Sequence, residues 1–199
     1  MSETAKEPAT VTYAIDAQDR LMRVDESWAT FAESNEGGRT LRPETVIGRS
    51  LWDFVRDPQL QLCYRQLLDV VRSGDEPVEF EFRCDSPLMQ RHMRMTMRSE
   101  PDGCVGFVCT TEQTIPQQRI LKLANAAIAG ESCRRCSLCN LFHLGEERWG
   151  EVDELIQHCN VMNRAVPPTV IWTVCEPCRD RMSALHETLR ASDTEPPAA

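Results

Sequence analysis

The sequence predicts an α+β fold: a five-stranded antiparallel sheet with helices on one face, followed by a small module held together by cysteines. Three observations predict it. Within residues 11–112, two short apolar stretches precede several amphipathic helices, and three further strands follow. Residues 78–84 and 92–98 alternate apolar and polar positions strictly, as antiparallel strands with one wet face do. Cys136-Ser137-Leu138-Cys139 and Cys175-Glu176-Pro177-Cys178 form two Cys-x-x-Cys pairs separated by thirty-five residues.

In chain order, residues 1–10 read as a disordered polar tail. Residues 11–17 and 20–24 read as two strands of a hairpin turning at Gln18-Asp19, although no Gly supports the turn. Asp25 is placed to cap a helix in which Trp28, Phe31 and Ala32 share a face. A loop runs to Gly48, and Ser50 caps a short helix carrying Leu51, Trp52, Phe54 and Val55. Pro58 starts what is expected to be the longest helix, to about Arg72, with Leu60, Tyr64, Leu67, Leu68 and Val71 on one side and Ser73-Gly74 as its stop. In the first of three strands, Val78, Phe80, Phe82 and Cys84 alternate with Glu79, Glu81 and Arg83. In the second, Met93, Met95 and Met97 alternate with His92, Arg94, Thr96 and Arg98. After a turn at Pro101-Asp102-Gly103, Cys104–Cys109 is expected as a buried last strand.

This order, with Tyr13-x-Ile15-Asp16, Asn35, Val46-Ile47-Gly48-Arg49-Ser50-Leu51-Trp52-Asp53-Phe54 and Phe80-x-Phe82-Arg83-Cys84-Asp85-Ser86-Pro87, resembles bacterial PAS sensor domains over residues 11–112. The resemblance implies a PAS-like sheet, a space between sheet and helices that is packed or holds a small molecule, and signalling to a partner. It names no ligand. The Asn-Cys-Arg-Phe-Leu-Gln motif of flavin photoreceptors is absent, and the long helix carries no histidine of the kind haem-binding members use. Cys63 is read as a core thiol, His92 as solvated, Met93, Met95 and Met97 as core, and Trp28 and Trp52 as packing residues.

Residues 113–130, after Pro116, read as a connecting helix with a stripe of Ile120, Leu121, Ala124 and Ile128 that stops at Gly130. Residues 131–182 form the small module, and 183–199 a helix end and a disordered tail. A Cys-x-x-Cys turn lets two sulfurs face one metal, and two such turns complete a tetrahedron around zinc. Cys136, Cys139, Cys175 and Cys178 are the expected ligands. Four thiolates leave no position for water, so the zinc is expected to be structural. A redox dithiol, an iron site with the same ligands, or two unrelated reduced pairs are the other readings of these residues. Cys133-Arg134-Arg135-Cys136 is a third Cys-x-x-Cys and makes the register ambiguous. The run from Cys136 through Trp149, Val152, Leu155 and Ile156 to Cys178 resembles a short cysteine module at the end of bacterial PAS proteins and signalling kinases. Its spacing selects Cys139 with Trp149 and leaves Cys133 as an alternate ligand. The chain departs from it in carrying Val174 where a Gly stands before the last pair. His143, His158 and Cys159 are read as helix residues rather than ligands.

The chain has 199 residues and a net charge of −9. Residues 131–199 carry seven Arg, no Lys and eleven Asp or Glu, a net of −4. That balance disfavours phosphate contact, so nucleic acid is not an expected partner. The N-terminus has no apolar core of a signal peptide, and no run approaches the roughly 20 apolar residues of a membrane span. A reducing, cytoplasmic setting is expected, where clustered cysteines mean metal more often than disulfide. The leading expectation is a cytoplasmic signalling or adaptor protein that acts through protein–protein contact, with a homodimer as one route. A redox switch, in which Cys133, Cys136 and Cys139 cycle and release zinc, is the alternative, and a transcriptional regulator a minor one. No nucleophile–base constellation is visible, so no enzyme is expected.

Overall fold

The computed structural model describes residues 10–34, 38–86, 88–117, 132–159 and 169–192. Residues 1–9 of the tail expected over 1–10, residues 193–199 of the C-terminal tail and residues 118–130 of the connecting helix expected over 113–130 lie outside the described residues.

The first strands are β1 (Thr10–Ile15) and β2 (Leu21–Val24). Their turn needs no glycine. Asp19 adopts φ 59°, and the Asp16 carboxylate accepts hydrogen bonds from the N–H groups of Gln18 and Arg20. Asp supports both the left-handed conformation and the local side-chain turn. Helix α1 (Ser27–Ser34) is capped as expected by Asp25, which accepts from the N–H of Trp28 at 2.9 Å. A short helix, α2 (Pro43–Val46), occupies part of the expected loop, with Pro43 in its first turn. Ser50 caps a single 3-10 turn over Leu51–Asp53. Helix α3 (Pro58–Ser73) follows, capped by Asp57.

Strands β3 (Val78–Arg83), β4 (Met89–Ser99) and β5 (Val105–Pro116) complete an antiparallel sheet of order β2-β1-β5-β4-β3. β5 runs well past the end expected at Cys109 and takes in residues 113–116, which were expected to open the connecting helix and are held instead as strand by their pairing with β4. Its outer half, Thr110 to Pro116, stays paired with β4, but the ladder there holds polar, mostly exposed residues, so burial left no periodic mark in the sequence. Register builds two rows of side chains under the helices: Val11, Cys109, Met95 and Phe80, and Tyr13, Phe107, Met97 and Val78. Tyr13 stacks on Phe107 at 4.4 Å, and Tyr64 of α3 meets Phe80 edge-on. Leu67, Leu68 and Val71 complete the seal, and Cys63 and the three methionines are buried.

The C-terminal part consists of β6 (Ser132–Cys136), β7 (Phe142–Gly145), β8 (Arg148–Gly150), α4 (Val152–Cys159), β9 (Thr169–Thr173) and α5 (Glu176–Ser192). Its sheet has the order β8-β7-β6-β9, with β6 and β9 parallel. At 17 residues against 16, α5 rather than α3 is the longest helix described. The sequence hides its length because Arg, Glu and Asp occupy most of the face it leaves in water.

The two parts share one apolar cluster: Cys136, Leu138, Val174, Cys175, Cys178 and Met182 are continuous with the core beneath α3. They also meet along β3, the edge strand. The N–H of Arg83 donates to Leu138 O at 2.7 Å, and Arg181 donates to Glu81 O at 3.1 Å. An open strand edge is thereby covered. This corrects one expectation. Arg83, assigned to the wet face, is 9% exposed because the C-terminal part lies over it.

Candidate metal centre

Cys136 ends β6, and the chain turns at once. Cys136 N–H donates to Leu141 O, Asn140 N–H donates to Cys136 O, and Asn140 takes φ 60°. This tight turn points Cys139 back toward Cys136. The second pair sits where β9 gives way to α5. The carbonyl of Cys175 accepts from the N–H of Arg179, and Cys178 lies in the first turn of the helix. The positive end of a helix favours thiolate there.

The four sulfurs of Cys136, Cys139, Cys175 and Cys178 all lie within 4.8 Å of one another. Cys139 Sγ and Cys175 Sγ are 3.7 Å apart. That is far beyond a disulfide bond of about 2.05 Å. It is the edge of a tetrahedron: bonds of roughly 2.3 Å to a central metal give sulfur–sulfur edges of about 3.8 Å. Donors stand ready for negative charge. The N–H groups of Leu138 and Cys175 both point at Cys136 Sγ at 3.4 Å, and Arg181 reaches Cys178 Sγ at 3.8 Å. The four thiols lie close enough to bias one another's protons, Cys136 toward thiolate and Cys178 toward thiol. Three of the four cysteines are buried and Cys139 is half-buried, so the centre is closed rather than open to a substrate. The residues present therefore fit a metal ion of tetrahedral, thiolate-preferring type.

Cys133 is not part of this group. It lies in β6 three residues before Cys136, and positions three apart on a strand face opposite sides. It belongs to a second apolar cluster with Phe142 and Leu155. His143, expected in a helix, lies instead in β7, paired with Trp149 of β8 and beside Arg134, and is not part of the sulfur group. The side chains of His158 and Cys159 lie outside the described residues. His92 is half-buried on the outer sheet face. Cys63 and Cys109 are buried core thiols: burial pushes both up, Cys109 to about 12.

Two sets of residues around the centre were not singled out as functional from the sequence. Asp57 and Gln59, at the start of α3, hydrogen-bond to the cysteine segments. Asp85, with its side chain 2% exposed, is shared by Arg83 and Arg135, while Arg83 Nη1 also donates to Glu151 at 2.6 Å. Arg135 lies against the rings of Phe142 and Trp172 at 4.8 and 5.4 Å. The only sequence signal for Asp57 was its place before Pro58, which marks a helix cap. The charged set carries none, because its members lie up to 68 residues apart.

No family model matches the chain, and no curated protein does. Solved structures do. The photoactive yellow protein domain of the sensor histidine kinase Ppr from Rhodospirillum centenum is 22% identical, with 55% of this chain and all of that chain covered and a TM-score of 0.39. The PAS domain of Bordetella pertussis BvgS is 16% identical, with 56% of this chain and 79% of that chain covered and a TM-score of 0.37. Identities of this size speak to the fold alone, and scores below 0.5 add no weight to the strand order described above. The sheet domain is α+β, a five-stranded antiparallel sheet with helices packed on it. No described helix is long and apolar enough to cross a membrane.

Proposed function

We propose that this is a cytoplasmic signalling or adaptor protein in which a PAS-like domain is joined to a structural zinc centre, acting through contact with a protein partner. The observation that supports it best is the closed set of four sulfurs docked on a PAS-like sheet domain. Cys136, Cys139, Cys175 and Cys178 hold the zinc, which supplies a cross-link between β6 and α5 and no reactive position. The reading includes no catalytic step and no nucleic-acid partner. The separation of Cys133 from the sulfur cluster weighs against the redox switch in which it would cycle with Cys136 and Cys139.

The test is metal content by mass spectrometry and an absorption spectrum, both on full-length protein purified without added metal. One zinc per chain with no visible band is expected. An iron–thiolate band would replace zinc with iron. A flavin or haem band would make the sheet domain a light, redox or gas sensor. No metal, with free thiols, would overturn the structural centre.

A further inference from the structure

Both cysteine segments are tied to one turn of the sheet domain. Asp57 caps α3: its Oδ1 accepts from the N–H of Gln59 at 2.9 Å. Its Oδ2 accepts from the hydroxyl of Ser137, inside the first Cys-x-x-Cys, at 2.6 Å. Gln59 Oε1 accepts from Thr173 Oγ1 at 3.0 Å and from the N–H of Val174 at 3.1 Å, immediately before Cys175. The N–H of Ser137 donates to Thr173 O at 2.7 Å, closing a ring between the two segments and α3. α5, which begins at the second pair, packs along α3 and buries Met182 in the shared cluster.

Asp57 is 7% exposed. A buried carboxylate needs its hydrogen bonds, and here one donor is held in place by the loop between Cys136 and Cys139. The same first turns of α3 carry Leu60, packed against the core, and Tyr64, set edge-on to Phe80. The first turn is also where a helix has no internal partners for its N–H groups.

We propose that metal occupancy of the four-sulfur centre is read by the N-terminal turn of α3, and through it by the interior of the PAS-like domain. This rests on the metal-centre reading above. With metal bound, Ser137 and Val174 are fixed where they satisfy Asp57 and Gln59. With metal gone, the two cysteine segments are no longer cross-linked, their donors leave, and the start of α3 loosens against Phe80. The centre then works as a latch on the sheet domain as well as a staple for its own module.

The experiment is amide hydrogen exchange on the full chain, zinc-loaded and after chelation under reducing conditions, with metal content measured on each sample. On zinc removal, residues 58–64, read at the amides of Gln59 through Tyr64 because Pro58 has none, should exchange about tenfold faster, while the hairpin of residues 10–24 keeps its protection. Ser137→Ala keeps all four thiols, so it should bind zinc stoichiometrically yet show the faster exchange at residues 58–64 while loaded. The latch is overturned if zinc leaves and residues 58–64 do not change, or if loaded Ser137→Ala exchanges like the parent chain. It is overturned equally if the hairpin opens together with residues 58–64, which is global unfolding. A chain that takes up no zinc fails the function reading itself, and the metal analysis tells that failure from the others.

Discussion

Residues 10–116 close their core with two cross-strand rows of apolar side chains under α3, whereas residues 132–192 close theirs around four sulfurs. The first design spreads its stability over many side chains, each replaceable at moderate loss. On the metal reading proposed above, the second concentrates it at one point, because the module's own apolar cluster of Cys133, Phe142 and Leu155 is small. Cores of fewer than about 60 residues are marginal alone, and metal binding can supply the missing folding energy. The contrast is not between two separate bodies, since the sulfurs themselves extend the core beneath α3.

The largest expected effect is on the concentrated side. Cys136→Ser should abolish zinc binding and melt the C-terminal sheet, because structural zinc contributes on the order of 10 kcal/mol to folding of such modules. The β1–β2 hairpin should stay folded. Metal analysis with circular dichroism checks this, and cooperative C-terminal structure without metal would sink the zinc centre.

On the distributed side, Leu67→Ala, which empties a side chain 1% exposed, should cost roughly 2–5 kcal/mol in urea denaturation without changing zinc stoichiometry. A loss of zinc in that variant would mean that the two parts stand or fall together. The seam between them is tested by Asp85→Ala. It leaves Arg83 and Arg135 without their shared carboxylate and should cost roughly 3 kcal/mol. A cost below about 1 kcal/mol in the same denaturation would show that Glu151 alone satisfies Arg83.

Smaller again is Asp25→Ala. It removes the cap of α1 and a bond to the N–H of Thr12, at about 1–2 kcal/mol, with no effect on metal. The mildest probe changes no residue. In the folded, zinc-loaded chain Cys63 and Cys109 should resist alkylation near pH 8. Burial raises both thiols, and Cys109, pushed up to about 12, carries almost no thiolate there. Chelation should make Cys136, Cys139, Cys175 and Cys178 reactive first. Early labelling of Cys109 would show that the sheet domain opens as readily as the module.

Much of this was legible in the chain. Alternation at Val78–Phe82 and Met93–Met97 marked strands, Asp25 and Ser50 marked caps, and the two Cys-x-x-Cys pairs marked the centre. Each of these is local: the pattern and the structure it produces lie within a few residues. What only the tertiary structure decided involved partners far apart in sequence. The ambiguity among Cys133, Cys136 and Cys139 is resolved by geometry: Cys133 to Cys136 is strand and separates the two thiols, while Cys136 to Cys139 is a turn and brings them together. Arg83 reads as a wet-face residue until Leu138, Asn140 and Glu151 cover it. Asp57 drew no reading from the sequence, and its role depends on Ser137, which donates to it from 80 residues away. Periodicity and spacing report which way a side chain faces, and they determined the elements. Which surface that face meets depends on chain closure over long separations, and the sequence carries no local mark of it.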